Sequence, residues 1–231
     1  AVCAVSSNVI VVLSSGTPVD MRGWLDGTEA LLQAWYPGME GGHAIASVLC
    51  GDSDPCGRLP ASFPQSLEQH SSHGHYPGKD GKVAFGEGLF IGYRHYDRSG
   101  DRPQFCFGHG LSYTKFLFRD LSLEQKPGNL VRVSLFVENQ GERTGKEVVQ
   151  IYVRAIGSAV TRPEKELKAF AKLELGAGES RQVHIDLDSK AFAHYSVEGG
   201  GWRVDDGEYE IIAGHSSQNL PLRKILHLKG L

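Results

Sequence analysis

Glu87 lies between Gly86 and Gly88, a setting in which the backbone can approach a bound molecule closely because neither neighbour carries a side chain. A carboxylate held there can accept donors from a ligand. That makes Glu87 the one substrate-binding candidate in the chain, as a pocket-rim group or as a group that orients other residues. The competing reading, and the favoured one, is structural: an ion pair with Arg94 or a hydrogen bond to a nearby backbone amide. Asp52 and Asp54 are a second carboxylate pair, in Gly51-Asp-Ser-Asp-Pro55. In a loop after a helix they are expected to bond local backbone groups rather than to act as an acid/base pair. His70, His73 and His75 have the density of a metal site. Their loop is polar and offers no Cys or carboxylate at ligand spacing, so a solvated loop is expected, with no metal and no cofactor. Gly38, Gly41 and Gly42 flank a helix start, where an anion could sit, but no GxGxxG follows a strand and there is no P-loop. Close helix packing is expected there instead.

These residues sit in a chain of 231 residues with a formal charge of -3 and no cluster of Lys or Arg. A basic footprint for nucleic acid is therefore missing. The longest apolar run, Val9 to Leu13, is far too short to span a membrane. Neither a nucleic acid nor a membrane is expected as a partner. The first residues carry no basic and apolar leader pattern, and no Asn-x-Ser/Thr sequon occurs. Localisation is left open by these features, with the cytoplasm favoured slightly over secretion. Without an initiator Met, the chain is expected to be processed, trimmed or a fragment. Cys3, Cys50, Cys56 and Cys106 are too sparse for a disulfide-built scaffold. Cys50 and Cys56 could pair across their turn, but four free thiols are expected.

Three stretches must position the candidates. In the first, numbered 1–65, Asn8-Val-Ile-Val-Val-Leu13 reads as a strand buried on both faces of a parallel sheet. Trp24 to Trp35 shows helical spacing, and a second helix is expected from Glu40 or Gly41 to Leu49, with Ala44, Ile45, Val48 and Leu49 facing inward. A parallel strand needs neighbours and none is visible, so this reads as an α/β remnant. Gly57-Arg-Leu-Pro-Ala-Ser-Phe-Pro64 reads as extended. The second stretch, 66–115, is an irregular linker or seam. Within it Gly86, Gly88, Gly92, Gly108 and Gly110 are threaded through bulky aromatics, a mixture that suits neither a regular helix nor a clean strand. Arg94 and His95 are expected to serve the seam, and Asp97 and Arg98 to be turn residues. In the third stretch, 116–231, the period falls to two. Val131, Val133, Leu135 and Val137, then Val149, Ile151 and Val153, then Val183, Ile185 and Leu187, then Tyr209, Ile211 and Ala213 alternate with polar residues. With the turns at Asn139-Gln-Gly141, Gly176-Ala-Gly-Glu179 and Asp205-Asp-Gly207, this spacing fits an all-β immunoglobulin-like sandwich of about seven strands. Trp202 is expected to be a core or edge-packing aromatic.

The same segments carry a family likeness. In order they are Ile10-Val-Val-Leu-Ser-Ser-Gly-Thr-Pro-Val19, Ala34-Trp-Tyr-Pro-Gly-Met-Glu-Gly-Gly-His-Ala-Ile-Ala46, Gly51-Asp-Ser-Asp-Pro-Cys-Gly-Arg-Leu-Pro-Ala-Ser-Phe-Pro64, Tyr76-Pro-Gly78, Gly86 to Asp97, and Phe107-Gly-His-Gly-Leu-Ser-Tyr-Thr114. Glu147-Val-Val-Gln-Ile-Tyr-Val153, Glu166-Leu-Lys-Ala-Phe170, Leu175-Gly-Ala-Gly-Glu179 and Gly207-Glu-Tyr-Glu210 follow. Together they resemble the C-terminal part of glycoside hydrolase family 3, the β-glucosidase family.

The resemblance implies the end of an α/β sandwich domain followed by a fibronectin type III-like domain, with an N-terminal (β/α)8-barrel missing. The stretch from Tyr76 to Arg94 looks most like family members that also insert a PA14 domain. The resemblance further implies hydrolysis of terminal β-D-glucosyl residues in a β-glucoside or oligosaccharide, with retention, by an Asp nucleophile and a Glu acid/base about 5 Å apart. Both motifs lie upstream in the family, so no residue of this chain takes a catalytic role, and the isolated chain is expected to be inactive. Within the family the substrate could instead be a xyloside, as in a β-xylosidase, or an arabinoside. Outside it, the alternative is a stand-alone, non-catalytic β-sandwich module that binds a carbohydrate or a protein.

Overall fold

The computed structural model describes residues 2–128 and 130–230; Ala1, Asn129 and Leu231 lie outside the described residues. Strand β1 (Ile10–Leu13) pairs in parallel with β2 (Ala30–Gln33). The helix expected over Trp24–Trp35 is therefore a correction: a single 3-10 turn, Leu25–Gly27, leads into a strand. The backbone of this segment finds its partners across the sheet rather than within itself. Glu29 N donates to the Val9 carbonyl (2.9 Å) and Ala34 N to the Leu13 carbonyl (2.8 Å), and the Gln33 amide reaches back to the Ser15 carbonyl (3.0 Å). A parallel ladder satisfies those groups without the helical register that the tryptophan spacing suggested. Trp35 closes the strand with φ +54° and packs edge-on against Phe63, centroids 5.9 Å apart. Among the described residues the first strand thus has one neighbour, in a two-stranded sheet.

Helix α1 (Gly41–Leu49) forms where expected. Ile45 and Val48 are half-buried, whereas Ala44 and Leu49 face solvent. Helix α2 (Tyr93–Ser99) occupies part of the stretch expected to be irregular. It stops at Gly100, whose φ of +76° is the left-handed conformation that closes helices.

The sandwich consists of β3 (Phe116–Lys126), β4 (Leu130–Asn139), β5 (Gly145–Ala155), β6 (Glu166–Leu175), β7 (Ser180–Leu187), β8 (His194–Ser196), β9 (Gly201–Arg203), β10 (Gly207–Gly214) and β11 (Leu222–Leu228). Three antiparallel strands in the order β3-β4-β7 face four in the order β11-β10-β5-β6. The inward residues are those of the period-two pattern: Val131, Val133, Leu135 and Val137 face Val149, Ile151, Tyr209 and Ile211, and Phe192 fills the remaining space. The short β8–β9 hairpin lies apart from both sheets and holds Trp202 edge-on to Tyr195 (5.8 Å), with both rings exposed. Trp202 is therefore a surface aromatic and not a core one.

Burial is uneven. Ile151 is fully buried, while Ile10 on β1 is 55% exposed. Ile151→Ala should cost about 2–5 kcal/mol through lost contact and the cavity left behind, read by chemical denaturation. Ile10→Ser should cost less than about 1 kcal/mol. Equal costs at the two positions would contradict a stability centred on the sandwich.

Candidate functional site

Glu87 sits on a tight turn in which Phe90 N donates to the Glu87 carbonyl (3.0 Å). Gly88 takes φ +56° there, in the left-handed region that favours glycine. The Glu87 side chain is half-buried, and its Oε2 is fully buried without a hydrogen-bond partner. It borders a cavity of about 360 Å³ lined also by His75, Phe90, His95 and Arg98. The favoured ion pair with Arg94 does not form. Arg94, on α2, reaches β6 instead, where its Nη2 donates to Glu166 Oε1 (3.0 Å). Arg98 spends its charge over the Phe90 ring, 4.2 Å from the centroid. A buried carboxylate oxygen without a donor is an unmet demand, which Glu87 shares with Asp97; Glu87 is the one of the two that borders the cavity.

The other candidates are placed elsewhere. Asp54 makes long-range bonds rather than local ones. Its Oδ1 accepts from Ser112 Oγ and Tyr113 N (both 2.7 Å), and its Oδ2 accepts from Lys146 N (3.3 Å). Asp97 is no turn residue: it lies within α2 in a buried ion pair with Lys165. Burial holds its carboxyl above the usual carboxylate range, against the pull of the Lys165 ammonium, and its Oδ2 has no partner. His70 Nδ1 is bonded to Ser72 Oγ (2.7 Å), while His75 lines the cavity beside Glu87. Among the described residues no group of three His, Cys, Asp or Glu is placed to hold a metal ion. All four cysteines are free.

A buried polar cluster around Glu147 was not singled out from the sequence. Glu147, buried on β5, accepts from Arg58 Nη2 (2.9 Å) and from Val148 N (2.7 Å), and His215 Nδ1 lies 3.4 Å from its other oxygen. The Gln150 amide donates to the His215 carbonyl (2.7 Å), and Tyr152 Oη donates to Gln150 Oε1 (2.6 Å). Against this cluster lies the Phe105–Gly110 segment. Leu59 N donates to the His109 carbonyl and Gly108 N to the Leu59 carbonyl (both 2.8 Å), and Ser217 N donates to the Phe107 carbonyl (2.9 Å). A Cβ at Gly110 would stand 2.3 Å from the Gly57 carbonyl oxygen, so only glycine fits there. Burial, with the nearby Arg58 charge, holds His109 below the ordinary histidine value. The chemistry of this cluster is fastening. Glu147 and Arg58 are covered on all sides, with side chains 4% and 8% exposed.

A model of the glycosyl hydrolase family 3 C-terminal domain matches residues 1–113, and one of a fibronectin type III-like domain matches residues 147–217. The chain is similar to thermostable β-glucosidase B of Acetivibrio thermocellus, at 44% identity over 97% of this chain and 30% of that protein. The chain belongs to glycoside hydrolase family 3, as its C-terminal part. It is also 38% identical to an exo-α-(1→6)-L-arabinopyranosidase of Bifidobacterium breve, over 99% of this chain and 30% of that one. Its fold superposes on the crystal structure of a Bifidobacterium adolescentis family 3 β-glucosidase with a TM-score of 0.96 at 37% identity, covering 99% of this chain and 34% of that one. The chain thus spans about a third or less of the family 3 proteins it matches. The α/β remnant and sandwich are parts of that family architecture.

Burial works against ionised Glu147, but its bonds to His215 and Arg58 outweigh that and hold its carboxyl below the usual value. A depressed carboxylate pKa contributes stability that is present above the unfolded-state value and lost as pH falls through the folded one. Glu147→Gln leaves the Arg58 charge buried and unpaired, which should cost roughly 3–5 kcal/mol at pH 7. The difference from the unsubstituted chain should shrink as acid protonates Glu147. Denaturant titrations at several pH values check this; parallel pH profiles for the two proteins would contradict it.

Proposed function

We propose that this chain is the C-terminal supporting part of a retaining β-glucosidase that removes terminal β-D-glucosyl residues. The observation that carries the reading is the match of nearly the whole chain, through two family domains in order, to β-glucosidases of which it spans only about 30%. The Asp nucleophile and the Glu acid/base belong to the polypeptide upstream of this stretch, in the barrel and in the earlier part of the α/β domain. No residue of this chain takes a catalytic role. The substrate is a β-glucoside or oligosaccharide held by those upstream domains.

We divide the chain into residues 1–65, the end of the α/β sandwich domain; 66–115, the seam; and 116–231, the fibronectin type III-like domain. Glu87 is proposed as a rim carboxylate that positions the assembly rather than reacting with the sugar. Its place at the border of a cavity shared with His75, His95 and Arg98 supports this role. A second substrate reading, an arabinopyranoside, is favoured by the resemblance to the Bifidobacterium breve enzyme. The stand-alone module reading is disfavoured by a two-stranded parallel sheet whose strands leave Ile10 and Val12 exposed.

Purified chain incubated with an aryl β-glucoside should release aglycone no faster than buffer does. Turnover above that background would contradict the placement of both catalytic carboxyls outside this chain.

A further inference from the structure

We propose that Cys56 is an oxidation site, and that a hydroperoxide joins its sulfur to the amine of Lys172 through a sulfenamide bond. The Lys172 ammonium, on β6, donates to Cys56 Sγ at 3.3 Å across 116 residues of chain. Among the described residues that sulfur is its one hydrogen-bond partner. The Lys146 ammonium lies within electrostatic reach of the same sulfur, but Glu174 holds it at 3.1 Å. Cys56 thus stands beside two cations, of which Lys172 alone is uncommitted to a carboxylate. Reactive thiols occupy such electropositive, partly exposed places, and Cys56 is half-buried. Cys106 is the opposite case, buried and donating to Ser216 Oγ (3.3 Å). Cys3 and Cys50 stand in solvent.

The pair is held in place from both sides of the cysteine. Two residues earlier, Asp54 accepts from Ser112 Oγ, Tyr113 N and Lys146 N. Two residues later, Arg58 is bonded to the buried Glu147. On β6, Lys172 lies opposite Val148 of β5 in a continuous ladder. The sulfur and the amine are therefore kept within contact by structure that neither side chain supplies, which is the condition for an efficient reaction within one molecule.

The reaction has two steps. The Cys56 thiolate attacks one oxygen of hydrogen peroxide and the O–O bond breaks. The sulfur is oxidised to a sulfenic acid and the peroxide is reduced; the departing hydroxide takes a proton from the Lys172 ammonium and leaves as water. Lys172 is now a neutral amine beside an electrophilic sulfur. Its nitrogen lone pair forms the S–N bond, the S–O bond breaks, and the hydroxide takes the proton shed by nitrogen to leave as a second water. Sulfenic acids condense with nitrogen in this way. The product ties the loop after α1 to the sandwich, and a thiol reductant reverses it.

The test exposes the whole folded chain to hydrogen peroxide, blocks the remaining thiols by alkylation, and maps the products by protease digestion and mass spectrometry. The peptide carrying Cys56 should appear joined to the peptide carrying Lys172, lighter than their sum by two hydrogens, and dithiothreitol should separate them. Trypsin should no longer cut after Lys172 in that product. Cys56 should be consumed several-fold faster than Cys3 or Cys50. Cys56→Ser should remove the link. Lys172→Arg keeps a cation beside the sulfur but offers no amine, so this variant should stop at the sulfenic acid, which dimedone traps at Cys56. Lys146→Arg should leave the link unchanged. Circular dichroism before oxidation checks that each variant is folded. Oxidation that begins at Cys3 or Cys50, a Cys50–Cys56 disulfide in place of the link, or a link that retains an oxygen atom would overturn the proposal. So would a link that survives Lys172→Arg, or a Cys56 that peroxide leaves untouched.

Discussion

A single buried carboxylate sets the terms for the rest of this structure. Glu147 is on the central strand pair of the sandwich yet is almost wholly removed from water, and a charge in that position is tolerable only when its oxygens are met by donors. The donors come from far away in sequence: Arg58 lies 89 residues earlier, and His215 follows at the end of β10. Meeting that demand draws the extended 57–63 stretch and the Phe105–Gly110 stretch down onto the sheet. The close approach of Gly110 to the Gly57 carbonyl is a consequence of the same constraint. The aromatic side chains of the seam then have a surface to cover. Tyr93 packs on Phe107 and edge-on against Tyr152, and its hydroxyl accepts from Leu167 N (2.8 Å).

This fastening separates a well-supported part of the chain from a poorly supported one. The sandwich, α2 and the seam share buried polar contacts, with the Lys165–Asp97 and Arg94–Glu166 pairs adding to those around Glu147. The β1–β2 pair, α1 and the segment joining them share few of them and present Ile10, Tyr36, Met39 and Leu49 to solvent.

The sandwich was legible because alternation over several residues reports which side of a strand faces the core; each main strand, from Val131–Val137 to Tyr209–Ala213, sits inside an observed one. Helix α1 was legible from its apolar spacing, although Ile45 and Val48 turn inward while Ala44 and Leu49 do not. The misreading of Trp24–Trp35 as a helix has a definite cause. Short apolar runs carry no reliable period, and the ladder to β1 lies outside any local window. Helix α2 was hidden by its short length and aromatic content. At the site, the special setting of Glu87 was visible from its flanking glycines, but its partner was misassigned, because the direction Arg94 takes depends on where Glu166 stands. Glu147, Arg58 and His215 left no local mark, since a contact spanning 89 residues has no spacing to read.

The central claim is that seam and sandwich form one cooperative unit held around Glu147. Native-state hydrogen exchange tests it directly, through the amides of Leu59, Phe63 and Gly108, which bond across the seam. Their opening free energies should equal those of Val133 and Ile151 in the sandwich core, whereas the amides of the β1–β2 ladder should open at lower cost. Seam amides that exchange as readily as those of β1, with the core still protected, would contradict the account.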